Sequence, residues 1–287
     1  MIFAIVIVAT AVISIALFDY FTGEEGYPTS VIQARLNSTI LGEEREVIIY
    51  LPRNYDSTKK YPVMYVLDGS SQAGQMANKY KVLSAIGYIP ETIIAGLPNT
   101  SEKGRERDYT PPFMRTDNDN IKSPSGEGDK FLEFMEKELF PFMKKNYAVS
   151  SDCYIAGNSR GGLLVMYSLL SKPDLFQARF CFSSPFWRQN NILISKASDF
   201  FNLKDSLPGV LFMSAGAGET DNIKSGLKNM TALLEKKAPK GLIWQSNLTR
   251  NADHQNNAEI STSVAIGKLG EYLRQNNQKD TTTAGKQ

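Results

Sequence analysis

The chain has 287 residues, 42% of them hydrophobic and 22% charged, which sets it far from disordered compositions and makes it long enough to bury one large core. Its 32 basic and 30 acidic residues leave a net charge of +2 with no basic run, which argues against a nucleic-acid-binding face. A single histidine, His254, and two well-separated cysteines exclude a zinc site built on several histidines or on paired cysteines, and no metal or organic cofactor is expected.

Residues 2–18 form a run that is apolar apart from Thr10 and Ser14. Its length falls between an export-signal core of about 7–15 residues and a spanning helix of about 20. Residues 1–22 therefore read as a signal peptide or membrane anchor, with residues 2–18 as a tether. On that reading the protein is exported, to the periplasm or the medium, and residues 23–275 form its catalytic domain. Residues 45–51 alternate as a strand does. Residues 62–67 and 92–97 are short and continuously apolar, as strands buried on both faces of a parallel sheet are. Residues 99–128 are polar and rich in Gly and Pro, a length of loop that in compact domains usually serves function. Residues 130–147 carry one helical stripe, with Phe131, Leu132, Met135, Leu139, Phe142 and Met143 on one side.

Further apolar runs at 153–156, 180–182 and 210–213 alternate with helical patterns at 161–170, 221–237 and 258–273. Alternation of this kind gives an α/β fold: a mostly parallel central sheet with helices on both faces, here with an antiparallel start. Cys153 and Cys181 each lie in a strand-like run and read as buried thiols rather than a disulfide. Residues 276–287 show no apolar period and read as a flexible tail.

Chemistry enters at Gly157-Asn158-Ser159-Arg160-Gly161, a G-x-S-x-G pentapeptide between a strand and a helix. Glycines two before and two after the serine permit a tight turn that presents Ser159 Oγ at the top of the sheet. A serine hydroxyl needs a base, and the base needs an orienting acid. His254 is the only imidazole, and it follows Ser159, as the order Ser, acid, His requires. Glu219 comes directly off the glycine turn after the 210–213 strand and is the expected acid. Asp221, the alternative, reads as the start of the next helix. The expected oxyanion donors are the N–H of Arg160 and one from the loop after Leu67, from Ser70 or Gly69. Asn158, Trp187 and Tyr109 are the candidate substrate contacts, with packing under a loop as the other role for the two aromatics. The Arg160 side chain either takes an anionic group or pairs with a carboxylate.

Several stretches carry a resemblance: residues 61–69 (through Leu67-Asp68-Gly69), 105–111, 128–132, 156–162, 172–176 and 184–187. From about Gly42 to Leu273 the chain resembles the α/β-hydrolase esterase family that includes siderophore esterases, S-formylglutathione hydrolases, feruloyl esterases and mycolyltransferases. The resemblance implies an α/β-hydrolase fold, Ser159 as nucleophile, His254 as base and an acid near Glu219. Where the family often has His before the serine and Phe or Met after it, this chain has Asn158 and Arg160. The expected function is a serine carboxylesterase that cleaves a small-molecule ester through an acyl-enzyme. Acyl transfer by the same residues and a non-catalytic binding protein on this fold are the alternatives.

Overall fold

The computed structural model describes the chain from Val31 to Ala284, with side chains described as far as Asn276. The signal or anchor expected in residues 1–22 lies outside the described residues. Strands β1 (Val31–Ser38), β2 (Glu43–Tyr50), β3 (Tyr61–Leu67), β4 (Ile93–Leu97), β5 (Val149–Asn158), β6 (Ala178–Phe182), β7 (Ser206–Gly216) and β8 (Lys240–Thr249) form one sheet in the order β1-β2-β4-β3-β5-β6-β7-β8. β1 pairs antiparallel with β2, and β2 with β4; every later pair is parallel. This is the expected α/β-hydrolase architecture with its antiparallel start. β3 and β4 are buried at every position, so continuous apolar runs rather than alternation encode them.

Successive side chains of β3 serve opposite faces. Tyr65 and Leu67 join one apolar cluster, Met64 and Val66 the other. Helices α1 (Gly69–Ala85) and α8 (Asn257–Ala284) pack on the Met64 face. Helices α3 (Gly128–Phe134), α4 (Phe140–Asn146), α5 (Arg160–Ser171), α6 (Arg188–Asn202) and α7 (Asp221–Lys237) cover the other. The short helix α2 (Glu102–Asp108) lies in the polar 99–128 stretch, capped by Ser101 Oγ, which accepts from Gly104 N at 3.0 Å.

The structure departs from the sequence reading in several elements. The single helix expected at 130–147 is α3 and α4 joined by a π-turn at Met135–Leu139. Pro141 has no N–H for the carbonyl four residues back, and the widened turn ahead of it absorbs the break. Helix α1 has only a thin apolar stripe, Met76 and Tyr80 with small residues, because Gly69 and Ala73 lie against β4. A Cβ placed on Gly96 of β4 would sit 2.6 Å from Ala73 Cβ, so only small residues fit there. Helix α8 continues to Ala284, into the span read as a tail. Cys153 and Cys181 are free thiols.

One buried charge shapes the α5 end of the fold. Arg179 of β6 is 1% exposed and has no carboxylate partner among the described residues. Its guanidinium donates to Ser168 Oγ and to the carbonyls of Ser168, Lys172, Pro173 and Phe176, which close α5 and the turn after it. Burial pulls its pKa down to about 9.

Candidate active site

The functional side chains leave the sheet at one edge, the C-terminal ends of its parallel strands. Ser159 is the hinge between β5 and α5, with φ 53° and ψ −120°, a conformation that a non-glycine residue holds only under strain. The flanking glycines make that turn possible. A Cβ on Gly157 would lie 2.5 Å from the Gly161 carbonyl carbon, so strand and helix backbones touch at this point. Ser159 N–H donates to the Phe182 carbonyl at 2.8 Å and Gly162 N–H to the Ser159 carbonyl at 2.9 Å, which fixes the elbow against β6.

A second elbow stands beside it, since β3 and β5 are neighbours in the sheet. Asp68, between β3 and α1, also has a positive φ, 55°. Its carbonyl accepts from both Ser71 N and Gln72 N. That leaves Gly69 and Ser70 as the first-turn N–H groups of α1 without an intrahelical acceptor. Gly69 is packed against the β4 backbone, whereas Ser70 is exposed. The Asp68 carboxylate receives Arg105 Nε at 2.7 Å and Nη2 at 2.9 Å. Arg105 Nη2 also reaches the Asn158 carbonyl at 3.4 Å, so one guanidinium ties the two elbows together. Asp68, Ser70, Ser71, Gln72, Asn99, Arg105 and Asn158 line an open cleft of about 430 Å³ next to Ser159.

Two strands further on, the expected acid and base meet. Glu219 leaves β7 through the Gly216–Gly218 turn and is buried, and His254 lies in the loop between β8 and α8. Glu219 Oε2 and His254 Nδ1 are 2.8 Å apart. Glu219 Oε1 accepts from Ser183 Oγ at 2.6 Å and from Gly216 N at 2.8 Å. Burial pushes the Glu219 pKa up, but the hydrogen bonds from His254, Ser183 and Gly216 outweigh it and hold the carboxyl below its ordinary value. Gly218 N–H donates to the Ala252 carbonyl at 2.9 Å, which zips the acid loop to the histidine loop. Ser159 Oγ makes no hydrogen bond with a described residue, and neither does His254 Nε2. Such contacts in hydrolases are often long without substrate and close when it binds.

The remaining expected residues divide. Asp221 is fully exposed and pairs with Lys224 at 3.1 Å, at the start of α7. The Arg160 guanidinium pairs with Glu106 at 3.1 Å and donates to Thr110 Oγ1 and the Thr116 carbonyl; of its two expected roles, the structure shows the carboxylate pair. Asn158 lines the cleft, and its buried Oδ1 has no partner among the described residues. Trp187 packs part-buried against the core at the head of α6. Tyr109 is a correction. It is wholly buried, edge-on to Phe131, and its hydroxyl accepts from Asp68 N at 3.2 Å. It supports the Asp68 elbow from beneath and offers no face to a substrate. Sequence reasoning assigned no role to Ser183 or Asn257, which stand behind Glu219, nor to Asp68 and Arg105.

Comparison with known proteins adds the family. A family model described as “Putative esterase” matches residues 38–286. The ferri-bacillibactin esterase of Bacillus subtilis is 30% identical over 194 residues, 62% of this chain and 67% of its own length. A siderophore triacetylfusarinine C esterase of Aspergillus fumigatus is 25% identical over 154 residues, half of each chain. The crystal structure of an IroE-like serine hydrolase from Shewanella oneidensis superposes with a TM-score of 0.78 at 29% identity, covering 84% of this chain and 80% of that one. The chain belongs to this esterase family and is a serine ester hydrolase on an α/β-hydrolase fold.

Proposed function

We propose that Ser159, His254 and Glu219 form a catalytic triad that hydrolyses the ester bonds of a siderophore through an acyl-enzyme. The observation that carries this reading is the 2.8 Å contact of Glu219 Oε2 with the chain's only imidazole, on strand ends beside the strained Ser159 elbow. Ser159 Oγ attacks the ester carbonyl carbon while its proton passes to His254 Nε2. The oxyanion that forms is held by the N–H groups of Arg160 and Ser70, the first-turn donors of α5 and α1. His254 then gives its proton to the departing alkoxide, and the acyl group stays on Ser159. Water, deprotonated by His254, attacks the acyl carbon; as the acyl–Oγ bond breaks, His254 returns that proton to Ser159 Oγ and the acid leaves. Loss of one oxyanion donor typically costs about 10²–10³ in kcat.

The substrate class rests on the relatives named for siderophore esters. The apolar run at residues 2–18 supports export of the enzyme, and cell fractionation tests that point. The chemical test uses a fluorophosphonate probe, a p-nitrophenyl ester and a siderophore trilactone followed by mass spectrometry. Labelling at Ser159 and release of ring-opened siderophore are expected. A folded protein that stays unlabelled, or ester hydrolysis unchanged in Ser159→Ala, overturns the reading.

A further inference from the structure

Behind Glu219 runs a file of buried polar side chains that the reaction as written does not use. Ser183, Ser214, Asn257 and Ser261 are each at most 1% exposed. Thr249 Oγ1 and Ser261 Oγ are 2.8 Å apart, and Ser261 Oγ donates to Asn257 Oδ1 at 2.9 Å. Asn257 Nδ2 donates to Ser183 Oγ at 2.9 Å and to Ser214 Oγ at 3.1 Å. Ser183 Oγ donates to Glu219 Oε1 at 2.6 Å.

The donor inventory fixes the sense of every bond. An ionised carboxylate only accepts, so the one proton of Ser183 goes to Glu219 and its oxygen accepts from Asn257. The Asn257 amide spends both N–H groups on Ser183 and Ser214, so Oδ1 takes the Ser261 proton and Thr249 must donate to Ser261. Four groups, Thr249, Ser261, Asn257 and Ser183, thus point their protons one way, toward Glu219, with Ser214 accepting as a side branch, and each bond polarises the next. Oε1 already holds two donors, Ser183 and Gly216, and has no room for a proton. Oε2 is left to accept the Nδ1–H of His254, and Nε2 is the unprotonated nitrogen. Asn257 lies three residues after His254, with its N–H on the Asp253 carbonyl at 3.0 Å, so the same residue closes the histidine loop.

We propose that Ser183 and Asn257 are positioning residues that hold Glu219 as a fixed acceptor and through it lock His254 in the Nδ1–H tautomer a general base requires. The proposal rests on the triad reading above. Among the described residues, His254 is the titratable group that faces Glu219. From the flanking elements, Asp253 turns its carboxylate onto Gln255 N and Asn256 N, Asp221 pairs with Lys224, and Glu259 of α8 is exposed. Without the Ser183 donor the carboxylate binds protons more firmly and favours the imidazolium, so the acid limb of kcat/KM moves to higher pH.

The experiment measures kcat/KM against pH with p-nitrophenyl acetate for wild type, Ser183→Ala, Ser183→Cys, Asn257→Leu and Ser168→Ala. The last removes a buried hydroxyl of α5 far from Glu219. With one histidine in the chain, a ¹⁵N-histidine sample reports the tautomer from a single pair of imidazole resonances. Wild type is expected to show a protonated Nδ1 and a bare Nε2. Ser183→Ala and Asn257→Leu are expected to lose about tenfold to a hundredfold in kcat/KM, to move the acid limb upward and to average the two nitrogens. Ser183→Cys should recover part of the loss, and Ser168→Ala should shift neither the limb nor the resonances. A wild-type imidazole protonated on Nε2 overturns the proposal whether or not any variant folds. So do folded Ser183→Ala and Asn257→Leu enzymes with an unmoved limb. An enzyme whose activity survives Ser159→Ala overturns the triad itself, a separate outcome.

Discussion

Replacing Glu219 by Gln separates the acid's charge from its shape. Oε1 faces two donors, Ser183 Oγ–H at 2.6 Å and Gly216 N–H at 2.8 Å, so the amide oxygen must take that place. The amide NH₂ then points at His254 Nδ1, 2.8 Å away in the wild type. Nδ1 must accept, Nε2 must carry the proton, and the base facing the nucleophile is gone. The same exchange in another serine-hydrolase triad lowers kcat by about 10⁴, equivalent to about 5.4 kcal/mol of transition-state stabilisation. The fold loses far less. Two hydrogen bonds to a charged acceptor become neutral ones, roughly 1 kcal/mol each, and Tm falls by several degrees. The stability difference also depends on pH. The Glu219 pKa is lowered in the folded state, so its contribution is complete above the unfolded carboxylate value near pH 4.3 and is lost as pH falls through the lowered value. Wild type and Glu219→Gln should therefore converge in stability in acid. Initial rates with p-nitrophenyl acetate and thermal melts from pH 3 to 8 measure both effects. A folded Glu219→Gln enzyme with kcat within tenfold of wild type refutes the tautomer argument.

Four further outcomes follow from the same geometry. Asp221→Asn should leave kcat/KM within about twofold, because its carboxylate is in solvent and meets only Lys224. Arg160→Met keeps the backbone donor but frees the Glu106, Thr110 and Thr116 contacts. KM for the p-nitrophenyl ester should rise about threefold to tenfold with kcat nearly unchanged. Arg179→Leu strips the donor from four carbonyls at the end of α5, and urea unfolding should show a clear loss of stability, at roughly 1–3 kcal/mol for each buried acceptor left unpaired, while the folded fraction keeps its kcat. Burial pushes the Cys153 thiol up to about 12 and that of Cys181 higher still, so Ellman's reagent should react orders of magnitude faster in denaturant than with the native protein.

Legibility in the sequence tracked the range of each constraint. The Ser159 elbow could be read because its steric demand falls on glycines two residues away. His254 could be picked out as the candidate base because it is the only histidine in the chain. A place on the glycine turn favours Glu219 over Asp221, and it is Glu219 whose Oε2 lies 2.8 Å from His254 Nδ1. Helix α1 hid because three of the five residues on the face it buries are Gly69, Ala73 and Ala77, which carry little hydrophobic signal, leaving Met76 and Tyr80 to mark it. For Tyr109 the sequence left substrate contact and packing under the loop both open, and only the tertiary fold, which brings Phe131 and the Asp68 elbow over it, decides for packing. Ser183 and Asn257 meet partners 36 and 74 residues away, and no local pattern marks a serine or an asparagine for such a bond.

The paired elbows have a consequence for the end of the reaction. α1 and α5 both begin at one point of the sheet edge, each presenting the positive end of its dipole. An ester hydrolase makes an acid, and the carboxylate is born where those two ends converge. The field that favours the oxyanion also retains the anion that follows it. On the mechanism proposed above, departure of the acid half is expected to be the slower exit and departure of the alcohol the faster, with a gap that widens with each negative charge the acid carries. Added salt, which screens that field, speeds the first and leaves the second alone.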